Sequence, residues 1–195
     1  MHISNPESKI EPLLQQGLFT SKEAREQGIN PSLLCYYAKK GLIKKISYGL
    51  YQAKNTKIDR SQKNEQLLHS IKGVSNSVLC LHSALQIHNL ANNSTKQIWL
   101  AIPNSTTKPQ RENVTFKRMR DMKTGRVSIM LDEHLIETFD KERTILDLFR
   151  EENKELALKI LKKGLAKKVI DIEKLKSYAK LMRINITAYI LALTI

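Results

Sequence analysis

Three glycines dictate how the first fifty residues fold. Gly17, Gly28 and Gly41 cut this stretch into pieces that admit only short helices, because a glycine closes a helix in the left-handed region at little cost. Each piece carries its own start signal. Pro6, Glu7 and Glu11 suit a first turn, and Ile10, Leu13 and Leu14 supply one apolar face. Thr20-Ser21-Lys22-Glu23 is a capping box, in which Thr20 accepts from the Glu23 amide and Glu23 reaches back. Asn30 can cap a third helix with Pro31 at its first position, where no amide bond is lost. That helix runs from Ser32 to Lys40. Leu42–Ile46 and Leu50–Ala53 then flank Ser47-Tyr48-Gly49, which reads as a hairpin.

Residues 54–61 are polar without periodicity and read as a linker. Beyond it, helical patterns span 61–73 and Val78–Leu90, with Asn92-Asn93-Ser94 as a break. Strands follow at 97–102, 114–119, 127–131 and 135–138, and Asp132-Glu133-His134 is the last turn. Asp140 caps a helix to about Glu151, and 153–183 is helical by periodicity, weakened at Gly164. The expected fold class is α+β: an N-terminal domain over 1–55, and a mixed strand and helix domain over 60–195 that ends in helices.

The chain of 195 residues carries 33 Lys and Arg against 19 Asp and Glu, a formal charge of +14. The excess is +5 over residues 1–60, +5 over 61–135 and +4 over 136–195, so it lies on folded surface rather than on a tail. A polyanion is the partner such a balance favours. At 41% apolar and 27% charged residues, wholesale disorder is excluded. Cys35 and Cys80 form no CxxC pair, so zinc-ribbon and redox motifs are excluded. The start of the chain lacks the apolar run of a signal peptide, and the longest apolar tract, 188–193, is far short of a membrane span. A cytoplasmic protein without a membrane partner is expected.

Three helices and a hairpin in so few residues is the winged helix-turn-helix plan. The major groove of B-DNA admits one α-helix. Burying Ala24, Leu34 and Tyr37 against the first helix leaves the other face of helix three free: Ser32, Leu33, Cys35, Tyr36, Lys39 and Lys40. The candidate DNA contacts are Ser32, Tyr36, Lys39 and Lys40 on that helix, with Lys44, Lys45 and Tyr48 on the hairpin near phosphates. After its cap the helix has no Arg, Asn or Gln, so the usual bidentate base contacts are missing. The same module in other proteins docks protein, and a Lys pair after a helix also complements its dipole.

Leu18-Phe19-Thr20-Ser21-Lys22-Glu23-Ala24, Ile29-Asn30, Leu34, Lys40-Gly41-Leu42-Ile43 and Gly49-Leu50-Tyr51 resemble the N-terminal winged helix of AbiEi antitoxins. These are the antitoxins of type IV toxin–antitoxin (abortive phage infection) systems. His82-Ser83-Ala84-Leu85, Ile98-Trp99-Leu100-Ala101-Ile102-Pro103 and Glu142-Arg143-Thr144-Ile145-Leu146-Asp147-Leu148-Phe149-Arg150 are similar to that family's second domain. The resemblance implies a phage-defence antitoxin whose winged helix binds inverted repeats in its own promoter and represses transcription. It implies a second domain that neutralises a nucleotidyltransferase toxin encoded nearby, often without a stable complex. A stand-alone transcriptional regulator and an antitoxin that docks its toxin directly remain open, as does a monomer or a weak dimer.

Arg143, Thr144 and Asp147 share one helix and form a candidate polar patch of the antitoxin domain. The alternative is a helix start tied to neighbouring strands through an Arg143–Asp147 link at i and i+4. Lys117, Arg118 and Arg120, with Arg111, Lys123 and Arg126 nearby, extend the basic surface or line a strand edge. His2, His69, His82, His88 and His134 show no metal-binding spacing. The strands 97–102 and 114–119 carry no acid for a nuclease, and no phosphate loop or nucleophile elbow is present. Neither enzymatic activity nor a cofactor or metal is expected.

Overall fold

The computed structural model describes residues 6–54, 62–91, 97–131 and 134–194. The protein is α+β and divides into two compact units, Met1–Ser75 with Pro109–Glu112, and Asn76–Lys108 with Asn113–Ile195.

The first unit contains α1 (Pro6–Gln16), β1 (Leu18–Thr20), α2 (Ser21–Glu26), α3 (Pro31–Lys39), β2 (Ile43–Ser47), β3 (Leu50–Ala53) and α4 (Gln62–Ile71). Its sheet is antiparallel, in the order β1-β3-β2. The strand β1 carries no period-two signal, because three residues are too few to show one. It forms because Phe19 is fully buried and stacks on Tyr51, with ring centroids 5.9 Å apart, while Leu18 pairs with Gln52 and Thr20 with Leu50. The core is Ile10, Leu13, Phe19, Ala24, Ile29, Leu34, Tyr37 and Ile43. Each large side chain there contributes roughly 1.5–3 kcal/mol by leaving water.

The capping box is complete. The Glu23 amide donates to Thr20 Oγ1 at 3.2 Å, and Glu23 Oε2 accepts from the Thr20 amide at 2.6 Å. Burial pushes the Glu23 carboxyl up, but bonds from Lys72 Nζ, the Thr20 amide and hydroxyl, and Gln16 outweigh it and hold it at about 2. A depressed acid stabilises the fold above its ordinary pKa near 4.5 and loses that effect as pH falls toward 2. Glu23→Gln is therefore expected to lower the melting temperature at pH 6, and the difference should vanish by about pH 2.

The helix α4, expected to open the second domain at 60, falls in the first unit. Lys72, just past its end, ties it there by donating to Glu23 Oε1 at 2.6 Å, and the Arg111 guanidinium donates to the carbonyls of His69 and Lys72, capping the orphan carbonyls at the end of α4. Arg111 therefore does not join a basic strand surface. Apart from Lys54, the expected linker lies outside the described residues.

The second unit begins with β4 (Val78–Leu79) and α5 (Leu81–Ile87). It continues through β5 (Ile98–Pro103), β6 (Val114–Met119), β7 (Arg126–Leu131) and β8 (His134–Phe139) to α6 (Lys141–Glu151), α7 (Lys154–Ala166), α8 (Ile172–Met182) and α9 (Thr187–Thr194). The sheet order is β6-β5-β4-β8-β7. β5 is parallel to β6 and β4 to β8, while β4–β5 and β7–β8 are antiparallel.

Val78-Leu79, expected in a helix, is instead the central strand. Both residues are fully buried, and an apolar pair covered on both faces leaves no alternation to read. The expected break at 92–94 and the residues 132–133 of the expected turn lie outside the described residues, and His134 opens β8. The stretch 153–183 is two helices, with Lys168 left-handed at φ 54° between them. Gly164 is a point of close approach: a Cβ there would sit 2.5 Å from Ile170 Cγ1. Among the described residues, no helix is long and apolar enough to cross a membrane.

Candidate nucleic-acid interface

Asn30 Oδ1 accepts from the Leu33 amide at 2.9 Å, and Pro31 sits at the first helical position, so α3 starts where its caps dictate. Leu34 and Tyr37, three apart, are 1% and 0% exposed and fix the inward face. At 100° per residue, Ser32, Cys35, Tyr36 and Lys39 fall opposite Leu34. All four are exposed, as is Lys40. Leu33, placed on that face by the sequence, is half-buried and packs on the core instead. Asn30→Ala is expected to cost about 1 kcal/mol of stability, read as a lower melting temperature.

Lys40 Nζ lies 4.9 Å from the centroid of the Tyr36 ring, a cation–π contact that steadies the exposed aromatic. Neither Lys39, Lys44 nor Lys45 forms an ion pair among the described residues, so their charge is uncompensated locally. Sequence reasoning passed over Lys54, which is also exposed, at the end of the hairpin.

The hairpin is tied to the helices at two places. The Ser21 amide, at the start of α2, donates to the Gly49 carbonyl at 2.8 Å, and the Ala53 amide to the Gly17 carbonyl at 2.7 Å. Gly49 is needed at the turn: its φ is +70°, and a Cβ would stand 3.0 Å from Ser21 Oγ. Tyr48, beside it, is 93% exposed. A tyrosine so exposed at a turn adds little to the packing of the core. Lys44 and Lys45 follow each other on the edge strand β2, so they leave its two faces, Lys45 on the face that Ile43 shares. They bracket the hairpin rather than form one row.

Arg143, Thr144 and Asp147 are not a surface patch. They are 1%, 0% and 1% exposed. Arg143 Nε donates to both oxygens of Asp147, at 2.9 and 3.0 Å, and its Nη atoms donate to the carbonyls of Thr124 and Asp121 at 3.0 and 3.1 Å. The guanidinium also stacks 4.5 Å from the Phe139 ring centroid. Thr144 Oγ1 donates to the Phe139 carbonyl. Burial lifts the Asp147 carboxyl to about 6 against the pull of Arg143. The motif is an internal tie between α6 and the turn after β6.

The basic strand surface is also smaller than its sequence implies. β6 is a sheet edge. Arg126 pairs with Glu137 at 2.8 Å and Lys117 with Glu151 at 3.4 Å. Arg118 on β6 and Arg120, just past its end, are exposed. Among the described residues, no three His, Cys, Asp or Glu side chains gather as a metal would need. No protein-family model matches the chain, and no curated protein is significantly similar to it.

Proposed function

We propose that the first unit is a winged helix-turn-helix that binds duplex DNA. In this reading α3 lies in the major groove and the β2–β3 hairpin lies beside it. The observation that carries this reading is the outward face of α3. Ser32, Tyr36 and Lys39 stand exposed opposite the buried Leu34 and Tyr37, and among the described residues no carboxylate pairs with Lys39, Lys44 or Lys45. Lys39, Lys40, Lys44 and Lys45 serve the phosphates, while Ser32 and Tyr36 face the bases. With no Arg, Asn or Gln on the helix, discrimination between sequences is modest and charge supplies most of the affinity.

The resemblance to AbiEi antitoxins completes the proposal. The chain binds inverted repeats in its own promoter, represses transcription and neutralises a nucleotidyltransferase toxin encoded beside it. Mobility shift with the region upstream of its gene tests the first part, and co-expression with the adjacent gene, read as growth, tests the second. Retardation of that duplex and rescued growth are the expected results. No retardation at low salt contradicts the repressor role, and no rescue contradicts the antitoxin role.

A further inference from the structure

We infer that the second unit carries a binding site for a small phosphorylated ligand of the nucleoside polyphosphate class. The site is separate from α3 and its hairpin. It is a cavity of about 340 Å³ beside the end of β6, and five arginines are among its lining residues, Arg118, Arg120, Arg143, Arg150 and Arg183. That volume is in the range of small-molecule sites.

Three acids also line it, Asp121, Asp147 and Glu151. Each already has a donor. Asp121 Oδ1 accepts from the amides of Lys123 and Thr124 at 2.9 and 3.0 Å, and Arg143 holds both Asp147 oxygens. Glu151 pairs with Lys117 at 3.4 Å. The acids are thus engaged within the fold, and with five arginines against three acids the wall keeps a positive excess.

The arginines divide differently. Arg143 is consumed by Asp147 and by backbone carbonyls. Arg118 donates to the neutral carbonyl of Thr106, and Arg150 donates to that of Met182 while its charge also acts on Asp147. The side chains of Arg120 and Arg183 have no hydrogen-bond or ion-pair partner among the described residues. Arg183 is presented by a left-handed backbone at the end of α8, φ 56°, a conformation that non-glycine residues seldom adopt. Several like charges facing one concavity repel one another unless an anion joins them. Planar guanidinium forks match phosphate oxygens two at a time, which a row of lysines does not do.

Beside these groups Leu181 leaves 68% of its surface exposed, and Met119 and Met182 also line the cavity. An apolar wall next to a cationic one fits a ligand with a phosphate head and a flat, weakly polar body. Duplex DNA offers the same phosphate chemistry, but its phosphates lie on a convex rod, whereas this surface is concave.

The test is calorimetric titration of the full chain at constant ionic strength with sodium pyrophosphate, ATP and adenosine. Pyrophosphate and ATP are expected to bind saturably at one site, ATP more tightly, and adenosine to give no heat. Arg120→Ala with Arg183→Ala should weaken both by about tenfold or more. It should leave the melting temperature without ligand unchanged, since neither side chain supports the fold. Affinity for duplex DNA should also be unchanged, which separates this result from failure or success of the DNA-binding reading. The absence of saturable pyrophosphate heat, or equal affinity in the double variant, would overturn the assignment. So would a loss of duplex affinity in that variant larger than its loss of pyrophosphate affinity.

Discussion

Replacing Arg143 with alanine is expected to destabilise the protein by about 3–5 kcal/mol, the usual cost of breaking a buried ion pair on one side. The reason lies in what remains. Asp147 is 1% exposed, and Arg143 donates to both of its oxygens. The carbonyls of Thr124 and Asp121 lose a donor as well. The Asp147 carboxyl, already lifted to about 6 by burial, rises further once the guanidinium is gone. The variant should therefore unfold at a markedly lower temperature at pH 8 than at pH 5, where the acid takes a proton. A double replacement, Arg143→Met with Asp147→Leu, removes both charges and should recover most of the loss. Thermal melts of the three proteins check this. A single variant within 1 kcal/mol of the parent, roughly the worth of a surface pair, would show that the link carries no weight.

Removing the two hairpin lysines is expected to act on binding and not on folding. Lys44 and Lys45 are exposed, sit on an edge strand and form no ion pair among the described residues. Lys44→Ala with Lys45→Ala should leave the unfolding free energy within about 0.5 kcal/mol of the parent. Binding to any duplex at 0.1 M salt should weaken roughly tenfold, related and unrelated sequences alike. Each phosphate contact adds about −0.9 to the slope of log K against log salt, so the slope should flatten by about 2. Because the two side chains leave opposite faces of the ribbon, each single variant should contribute about half. Anisotropy titrations at several salt concentrations separate these outcomes.

Much of the first unit is legible from its punctuation. Gly17, Thr20, Glu23, Gly28, Asn30, Pro31, Gly41 and Gly49 each act through local backbone chemistry, and the elements begin or end beside them. What local chemistry does not encode was lost. β1 exists through Phe19 meeting Tyr51, a contact across thirty residues of chain. β4 looks like the start of a helix until the sheet on both sides of it is known. The placement of α4 depends on Lys72 reaching back to Glu23, a pairing between distant residues that no linear pattern announces. The periodicity of α3 gave its exposed face correctly except at Leu33, whose angle puts it at the edge of the core. The arginine-lined cavity joins residues from β6, α6 and the end of α8, and no linear pattern announces it.

The central claim is that the outward face of α3 meets duplex DNA, and Cys35 reports on it without any substitution. Its thiol is exposed on that face between Ser32 and Tyr36, while Cys80 is fully buried and stays silent. Alkylation of Cys35 by a maleimide should slow by about tenfold or more when the protein is saturated with its promoter duplex at low salt, and recover as salt releases the DNA. An unchanged rate at saturation would mean that the duplex, if bound, lies elsewhere on the protein.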